Sequence, residues 1–317
     1  MLCRAAGMTR QNYYHQRQVR EEEKIDEALV VELVRMERCR QPRLGGRKLW
    51  HLLQGELKAA GVMLGRDRFF RVLKRQELLI PRRKRACQTT DSRHGFKVYV
   101  NLAKDLVLTG PHELWVSDIT YLRTEAGFMY LALVMDAWSR KIVGYDCSDS
   151  LEALGARRAL KMALAQLPTG ARTMHHSDRG SQYCCHEYVA MLEKAEVTIS
   201  MTQENHCYEN AKAERLNGIL KQEYALGGTI SSAADARTLA LQAVMLYNTH
   251  RPHTALGYQC PGKVHEVAFD RFGMGGVMPV AGSLVSLDVG RECNGHAAPH
   301  PEARPMHSET RQVFVRT

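Results

Sequence analysis

Three extended apolar runs crowded between residues 113 and 147 restrict this chain more than any other feature. Residues 113–122 (ELWVSDITYL) and 128–136 (FMYLALVMD) come first, and 141–147 (KIVGYDC) follows the turn Ala137-Trp138-Ser139-Arg140. Short runs rich in aromatic and branched residues, separated by turns, predict adjacent hairpins and so three antiparallel strands. The period then changes. Residues 151–167 repeat apolar positions at helical spacing, and 172–176 read as a short buried strand. A helix over about 183–195, a strand over 196–201 and a helix from Glu209 onward follow. Strands first, and then helix alternating with strand, predict a mixed α/β sheet with helices on its faces.

Upstream of this region the period is helical. Ala5-Ala6-Gly7-Met8-Thr9 reads as the turn of a helix-turn-helix, with Thr9 as the cap of the next helix. A charged helix is expected over about 21–39, then a break at 40–46, which holds Pro42 and the pair Gly45-Gly46. Residues 47–60 place Leu49, Leu52, Leu53 and Leu57 on one helical face, and 66–77 do the same with Phe69, Phe70, Val72 and Leu73. The other side of that last helix carries Arg66, Arg68, Arg71, Lys74 and Arg75. A turn followed by a basic helix suits the major groove of DNA. The same pattern also fits a hairpin with a solvated basic side.

Charge sharpens the choice. Residues 1–100 hold 23 Lys and Arg against 11 Asp and Glu, whereas the remainder hold 21 against 23. A basic first third marks a module that meets a polyanion. Arg47 and Lys48, the basic face of 66–77, and Arg82, Arg83, Lys84 and Arg85 after Pro81 are the expected phosphate contacts. No run approaches the roughly 18 apolar residues of a membrane span, and no secretory signal opens the chain. Nine cysteines without a Cys-x-x-Cys pair indicate neither a disulfide framework nor a zinc ribbon, so reduced thiols in a cytoplasmic protein are expected. His250, His253 and Cys260 lack an evident fourth metal ligand.

Three acids occupy positions that packing does not ask for. Asp118 interrupts the first strand, Asp178 ends the buried strand in His175-His176-Ser177-Asp178-Arg179-Gly180-Ser181-Gln182-Tyr183, and Glu214 lies in a helix. A carboxylate buried on a sheet must be paired, protonated or bound to a cation. Oxygen-only donors favour Mg²⁺ or Mn²⁺, and a pair of such ions can serve both sides of a phosphodiester under attack. Each acid alone also fits a cap, a turn or a solvated helix face. Glu204 and Glu209 compete with Glu214 as the third member.

Asp178 and Glu214 are separated by 35 residues, with Asp118 before them on the first strand. This resembles the Asp-Asp-35-Glu signature of retroviral integrases and of bacterial insertion-sequence transposases. The words Trp115-Val116-Ser117-Asp118-Ile119-Thr120-Tyr121, Met135-Asp136-Ala137-Trp138-Ser139-Arg140, His176-Ser177-Asp178-Arg179-Gly180-Ser181-Gln182-Tyr183 and Tyr247-Asn248-Thr249-His250-Arg251-Pro252-His253 resemble the insertion-sequence-three family over about residues 1–268.

The resemblance implies an N-terminal all-α helix-turn-helix region (1–85), a linker (86–111) and a ribonuclease-H-like mixed α/β core (112–268). The tail (269–317) matches no motif and is expected to be poorly ordered. Asp118, Asp178 and Glu214 would be catalytic and hold two Mg²⁺ or Mn²⁺ ions. Lys221, seven residues after Glu214 and so on its face, would touch DNA. Asn210 and Asn217 would support the glutamate or a phosphate, unless they are plain helix surface. The implied activity is strand cleavage and 3′-hydroxyl strand transfer at terminal inverted repeats in double-stranded DNA. The implied protein is bacterial and nucleoid-associated, works as a homo-oligomer on DNA, and in relatives is also made fused to the product of an upstream frame. The zinc module of retroviral integrases is absent. A catalytically silent DNA-binding regulator and a nuclease without strand transfer are the alternatives.

Overall fold

Thr9 opens the first helix as its cap, its hydroxyl oxygen accepting from the Asn12 amide at 3.1 Å. A computed structural model describes residues 9–81, 95–203 and 210–271. Residues 1–278 and 279–317 form two units, and everything described lies in the first. From Thr9 one helix, α1 (Arg10–Arg40), runs for 31 residues. The sequence reading divided this stretch near residue 20. No Gly or Pro interrupts it, so nothing breaks the backbone hydrogen bonds. After Pro42 come α2 (Gly46–Ala59) and α3 (Arg66–Arg75). Val30 and Val34 of α1, Leu49 and Leu53 of α2, and Phe69 and Val72 of α3 bury one another in a small separate core.

The expected hairpins are β1 (Leu114–Thr124), β2 (Gly127–Asp136) and β3 (Ile142–Ser148), all antiparallel. Helix α4 (Ala153–Leu164) returns the chain to β4 (Met174–Ser177), parallel to β1. The helix expected over 183–195 is two, α5 (Ser181–Cys184) and α6 (His186–Lys194), because Cys185 keeps an extended backbone between them. β5 (Thr198–Met201) then pairs parallel with β4. Helix α7 (Ala211–Glu223), the short β6 (Thr229–Ile230) on β1, α8 (Ala233–Thr249) and α9 (Pro261–Arg271) complete the described chain. The order β3-β2-β1-β4-β5 is the ribonuclease-H-like mixed sheet.

Alternation along β1 sends Leu114, Val116 and Leu122 towards α7 and α8, and Trp115 towards α4 and α6. With helices on both faces, β2 has to be apolar on both, which is why residues 128–136 show so little alternation. Gly144 lets β3 touch α4; a Cβ there would overlap the Ala159 carbonyl. Part of the expected linker lies on the core, where the Leu102 amide donates to the Ser200 hydroxyl at 2.9 Å.

The end of α8 joins the N-terminal helices to the core. Asn248 accepts from the Ile142 amide and donates to the Ile142 carbonyl, both at 2.9 Å. His250 meets Glu37 of α1 at 3.1 Å. Arg251, 2% exposed, donates to Glu223 through Nε at 2.8 Å and Nη2 at 3.0 Å. Lys48 of α2 closes on the same carboxylate at 2.7 Å. Tyr224 donates to Gln41 at 2.9 Å, and Gln41 to Glu37 at 2.8 Å. Lys48 is therefore a correction to the sequence reading. Its ammonium is committed to a half-buried carboxylate rather than open to a phosphate.

Burial alone would raise the Glu223 carboxyl, but the hydrogen bonds and charge of Arg251, then Lys48, outweigh it and hold the group below its ordinary range. A depressed carboxyl stabilises the fold fully above its unfolded value, about 4.3, and that contribution is lost as pH falls through the folded value. The melting temperature should therefore drop steeply below about pH 4.3. Scans between pH 3 and 7 should show a shallower acid limb in Glu223→Gln; identical slopes in the two proteins would exclude this origin.

Candidate active site

β4 covers only Leu114, Trp115 and Val116 of β1, so the β1 edge opens just before Asp118. Asp178 follows Ser177, the last residue of β4. The pairing of Trp115 with His175 and Val116 with His176, continued two residues, brings Asp178 level with Asp118. Neighbouring strands lie about 4.8 Å apart. Glu214 reaches the same strand end from the exposed first turn of α7.

Two buried asparagines dock α7 on β1. Asn210 donates to the Ser117 carbonyl at 2.9 Å, and Asn217 donates to Asp118 Oδ2 at 2.7 Å. Glu214 stands between them, so the helix presents its carboxylate in a fixed register. Asp118 Oδ1 accepts from the Ile119 amide at 2.9 Å. Asp178 Oδ1 accepts from the Gly180 amide at 3.0 Å, and a Cβ on Gly180 would press to 3.1 Å from that oxygen.

Asp118 feels the charge of both other acids. The Asp118 carboxyl is pushed up to about 7, first by burial, then by Asp178, with Glu214 adding to the rise. The Ile119 amide and Asn217 oppose it. Lys221, half-buried on the same helix, is lowered by burial and partly restored by Asp118. Among the described residues no group of three or more His, Cys, Asp or Glu side chains is already gathered closely enough to hold a metal ion. The chemistry of the three acids nonetheless suits a hard divalent cation: the donors are oxygens, Asp178 and Glu214 oppose the charge of Asp118, and a positive charge among them would relieve that.

The surroundings are structural. His175 contacts Ser117 at 2.7 Å and Tyr188 at 2.9 Å beneath the site, and burial pushes it down to about 3. His176 meets Ser200 at 2.9 Å. Both histidines are thus bonded in the core. Asp136 is also structural, accepting from the Ser139 amide at 2.7 Å and the His112 amide at 2.6 Å.

On the helical module Arg47, Arg66, Arg71 and Lys74 are exposed, while Arg68 is half-buried. Arg66 pairs with Asp67 at 3.1 Å, and Arg75 with Glu27 at 2.9 Å. Arg82, Arg83, Lys84 and Arg85, and the competing acids Glu204 and Glu209, lie outside the described residues, as does the tail from residue 272. Sequence reasoning missed Glu223, an ordinary helix-end glutamate by pattern. Its partners Arg251 and Lys48 lie 28 and 175 residues away, beyond the reach of any local pattern.

The integrase core domain model matches residues 109–207, and a second integrase core domain model matches residues 195–261. The insertion element IS600 uncharacterized 31 kDa protein of Shigella sonnei is 32% identical over 275 residues, covering 84% of this chain and 100% of that protein. Transposase InsF for insertion sequence IS3A of Escherichia coli (strain K12) is 34% identical over 211 residues, covering 66% and 73%. The transposase for insertion sequence element IS629 of Shigella sonnei is 30% identical over 280 residues, covering 86% and 93%.

Proposed function

The chain belongs to the IS3 family of insertion-sequence transposases, proteins of DNA transposition, and on that premise we propose that it cuts DNA at the ends of its own element and joins the freed 3′-hydroxyl to a new phosphodiester. This reading is supported above all by one strand end where the register brings Asp178 level with Asp118 and where Glu214 adds to the rise of the Asp118 carboxyl. Asp118, Asp178 and Glu214 would hold two Mg²⁺ or Mn²⁺ ions. When bound, those ions activate the attacking oxygen and stabilise the leaving one.

The chain's own residues set the geometry. Asn217 keeps the Asp118 carboxylate aimed and favours its charged form. Lys221 brings a cation to the same helix face for a DNA phosphate. No side chain need bond covalently to DNA, because water and the 3′-hydroxyl serve as nucleophiles. Residues 1–85 would read the terminal inverted repeats through Arg47, Arg66, Arg68, Arg71, Lys74 and Arg75 with the basic run 82–85, and residues 112–268 would carry the chemistry. Two or more copies would pair the ends, with an upstream-frame fusion as a further form. Among the described residues no helix is long and apolar enough to cross a membrane.

The test uses the DNA flanking this gene. Labelled end fragments are incubated with the protein and Mg²⁺, beside Asp178→Asn, and nicked and joined products are resolved. End-specific products that vanish in Asp178→Asn support the reading. Intact end binding without products, with or without the upstream frame, would replace it by a silent DNA-binding regulator. Nicks without joints would leave a nuclease.

Asn217→Ala supplies a finer check. Loss of an outer-sphere partner costs about 10–100-fold in metal affinity or activity. The Mn²⁺ concentration for half-maximal nicking should rise by that order while end binding stays constant. An unchanged Mn²⁺ requirement would remove Asn217 from the site.

A further inference from the structure

Helix α7 carries a glycine in the middle of the face that bears the third acid. Ala213, Leu216, Asn217, Ile219 and Leu220 are buried, whereas Glu214, Arg215 and Gln222 are exposed and Gly218 and Lys221 half-buried. Residues three and four apart adjoin on a helix surface, so Gly218 is ringed by Glu214, Arg215, Lys221 and Gln222. At about 100° per residue, Glu214 and Lys221 lie on the side of Gly218 nearer Asn217, which donates to Asp118 at 2.7 Å. Arg215 and Gln222 lie on the far side.

A glycine inside a helix is unfavourable, because it gives up more chain freedom than alanine does. Elsewhere in this fold packing requires one: a Cβ would overlap the Ala159 carbonyl at Gly144 and crowd the Ser148 hydroxyl at Gly155. A Cβ on Gly218 would meet no described atom within 4 Å. Its backbone is helical, so no unusual angle requires a glycine there either. The open spot adjoins the acid Glu214, and two cations flank it.

We propose that the backbone of the DNA strand to be cut passes over α7 at Gly218, with Lys221 on one side and Arg215 on the other each holding a phosphate. The inference rests on the function proposed above and adds Arg215 and Gly218 to its site. Without a side chain at 218 a sugar-phosphate can approach the helix main chain closely. Bulk there would hold the strand away from Glu214, about one turn back. Lys221 and Arg215 are about 9 Å apart along the helix axis at 1.5 Å per residue, the span of about three nucleotides at 3.4 Å per step. The fork of a guanidinium also takes two oxygens of one phosphate.

Gly218→Ala and Gly218→Gln are compared with the wild type on labelled end fragments that extend past the cut. Both substitutions favour the helix, so the melting temperature should rise, by about 2 °C in Gly218→Ala. Nicking in Mn²⁺ should nevertheless fall, at least about tenfold in Gly218→Gln and less in Gly218→Ala, since a misplacement of about 1 Å can slow a reaction about 100-fold. A glycine with a merely structural role would move stability and activity together. Arg215→Gln, at an exposed position, should reduce the slope of log affinity against log salt by about 0.9, the value for one phosphate, with binding measured in EDTA.

Wild-type nicking in Gly218→Gln, or an unchanged salt slope in Arg215→Gln, overturns the inference. Should Gly218→Gln melt below the wild type, Gly218→Ala decides: more stable but slower supports the passage, and equal nicking overturns it. If Asp178-dependent nicking by the wild type stands in that case, only this inference fails. If the wild type neither binds nor nicks end DNA, the proposed function fails with it.

Discussion

Asp118→Asn should abolish strand cleavage, by at least about a thousandfold, while making the metal-free protein more stable at pH 8. The two effects share one cause. Asp118 sits half-buried beside Asp178 and Glu214, and its carboxyl is pushed up to about 7 from an ordinary 3.8. A folded value above the unfolded one means that ionisation favours unfolding: stability is lost as pH rises from about 4 to 7, and the deficit persists above. Asparagine fills the same space without the charge, so the penalty disappears. At pH 4, where the wild-type carboxyl is protonated, the two proteins should melt together. Adding Mn²⁺ at pH 8 should stabilise the wild type and leave the variant unmoved, since a ligand that binds only the folded state raises its melting point. Thermal scans at both pH values, with Mn²⁺ or EDTA, measure all of this. A variant that melts below the wild type at pH 8, or that keeps the Mn²⁺ gain, would contradict a site in which carboxylates repel until a cation joins them.

The second large effect is expected far from the acids, at Glu223. This carboxylate is held by Arg251 through two hydrogen bonds and by Lys48 at 2.7 Å, in a junction where the Arg251 and Lys48 side chains are 2% and 14% exposed. Glu223→Gln leaves two cations facing a neutral amide. Breaking a buried pair by removing one partner costs about 3–5 kcal/mol, because the remaining charge is uncompensated. For a chain of this size that amounts to a melting-point fall of about 10 °C. Lys48→Met removes one of those cations and keeps the Arg251 pair, so it should cost distinctly less. Because Glu223 ends the helix that Glu214 begins, the junction also ties the basic helices to the acid site. Protease cutting near residues 41–48 should accelerate in Glu223→Gln. A melting point within about 2 °C of the wild type would mean that the junction holds by apolar packing instead.

Much of this molecule is legible in the chain because its signals are local. The strands at 113–122 and 128–136 announce themselves by composition and by the turns around them, and the structure moves their ends by only a residue or two. The first helix runs unbroken from Arg10 to Arg40 because no breaker residue stands where a helix-turn-helix pattern predicts a division. By its local pattern Lys48 is a phosphate contact; its true partner, Glu223, lies 175 residues away.

The sequence by itself determined the strands, the apolar faces and the basic character of the first third, which follow from periodicity and composition acting over a few residues; the three acids were singled out by the resemblance of their spacing to a family signature. Tertiary structure alone decided that the parallel pairing of β1 and β4 carries Asp178, just past the end of β4, level with Asp118, that Asn210 and Asn217 bracket Glu214 against β1, and that Lys48 serves Glu223. Each depends on strand register or on helix docking, and a carboxylate's acidity depends on whichever charges that docking brings within reach.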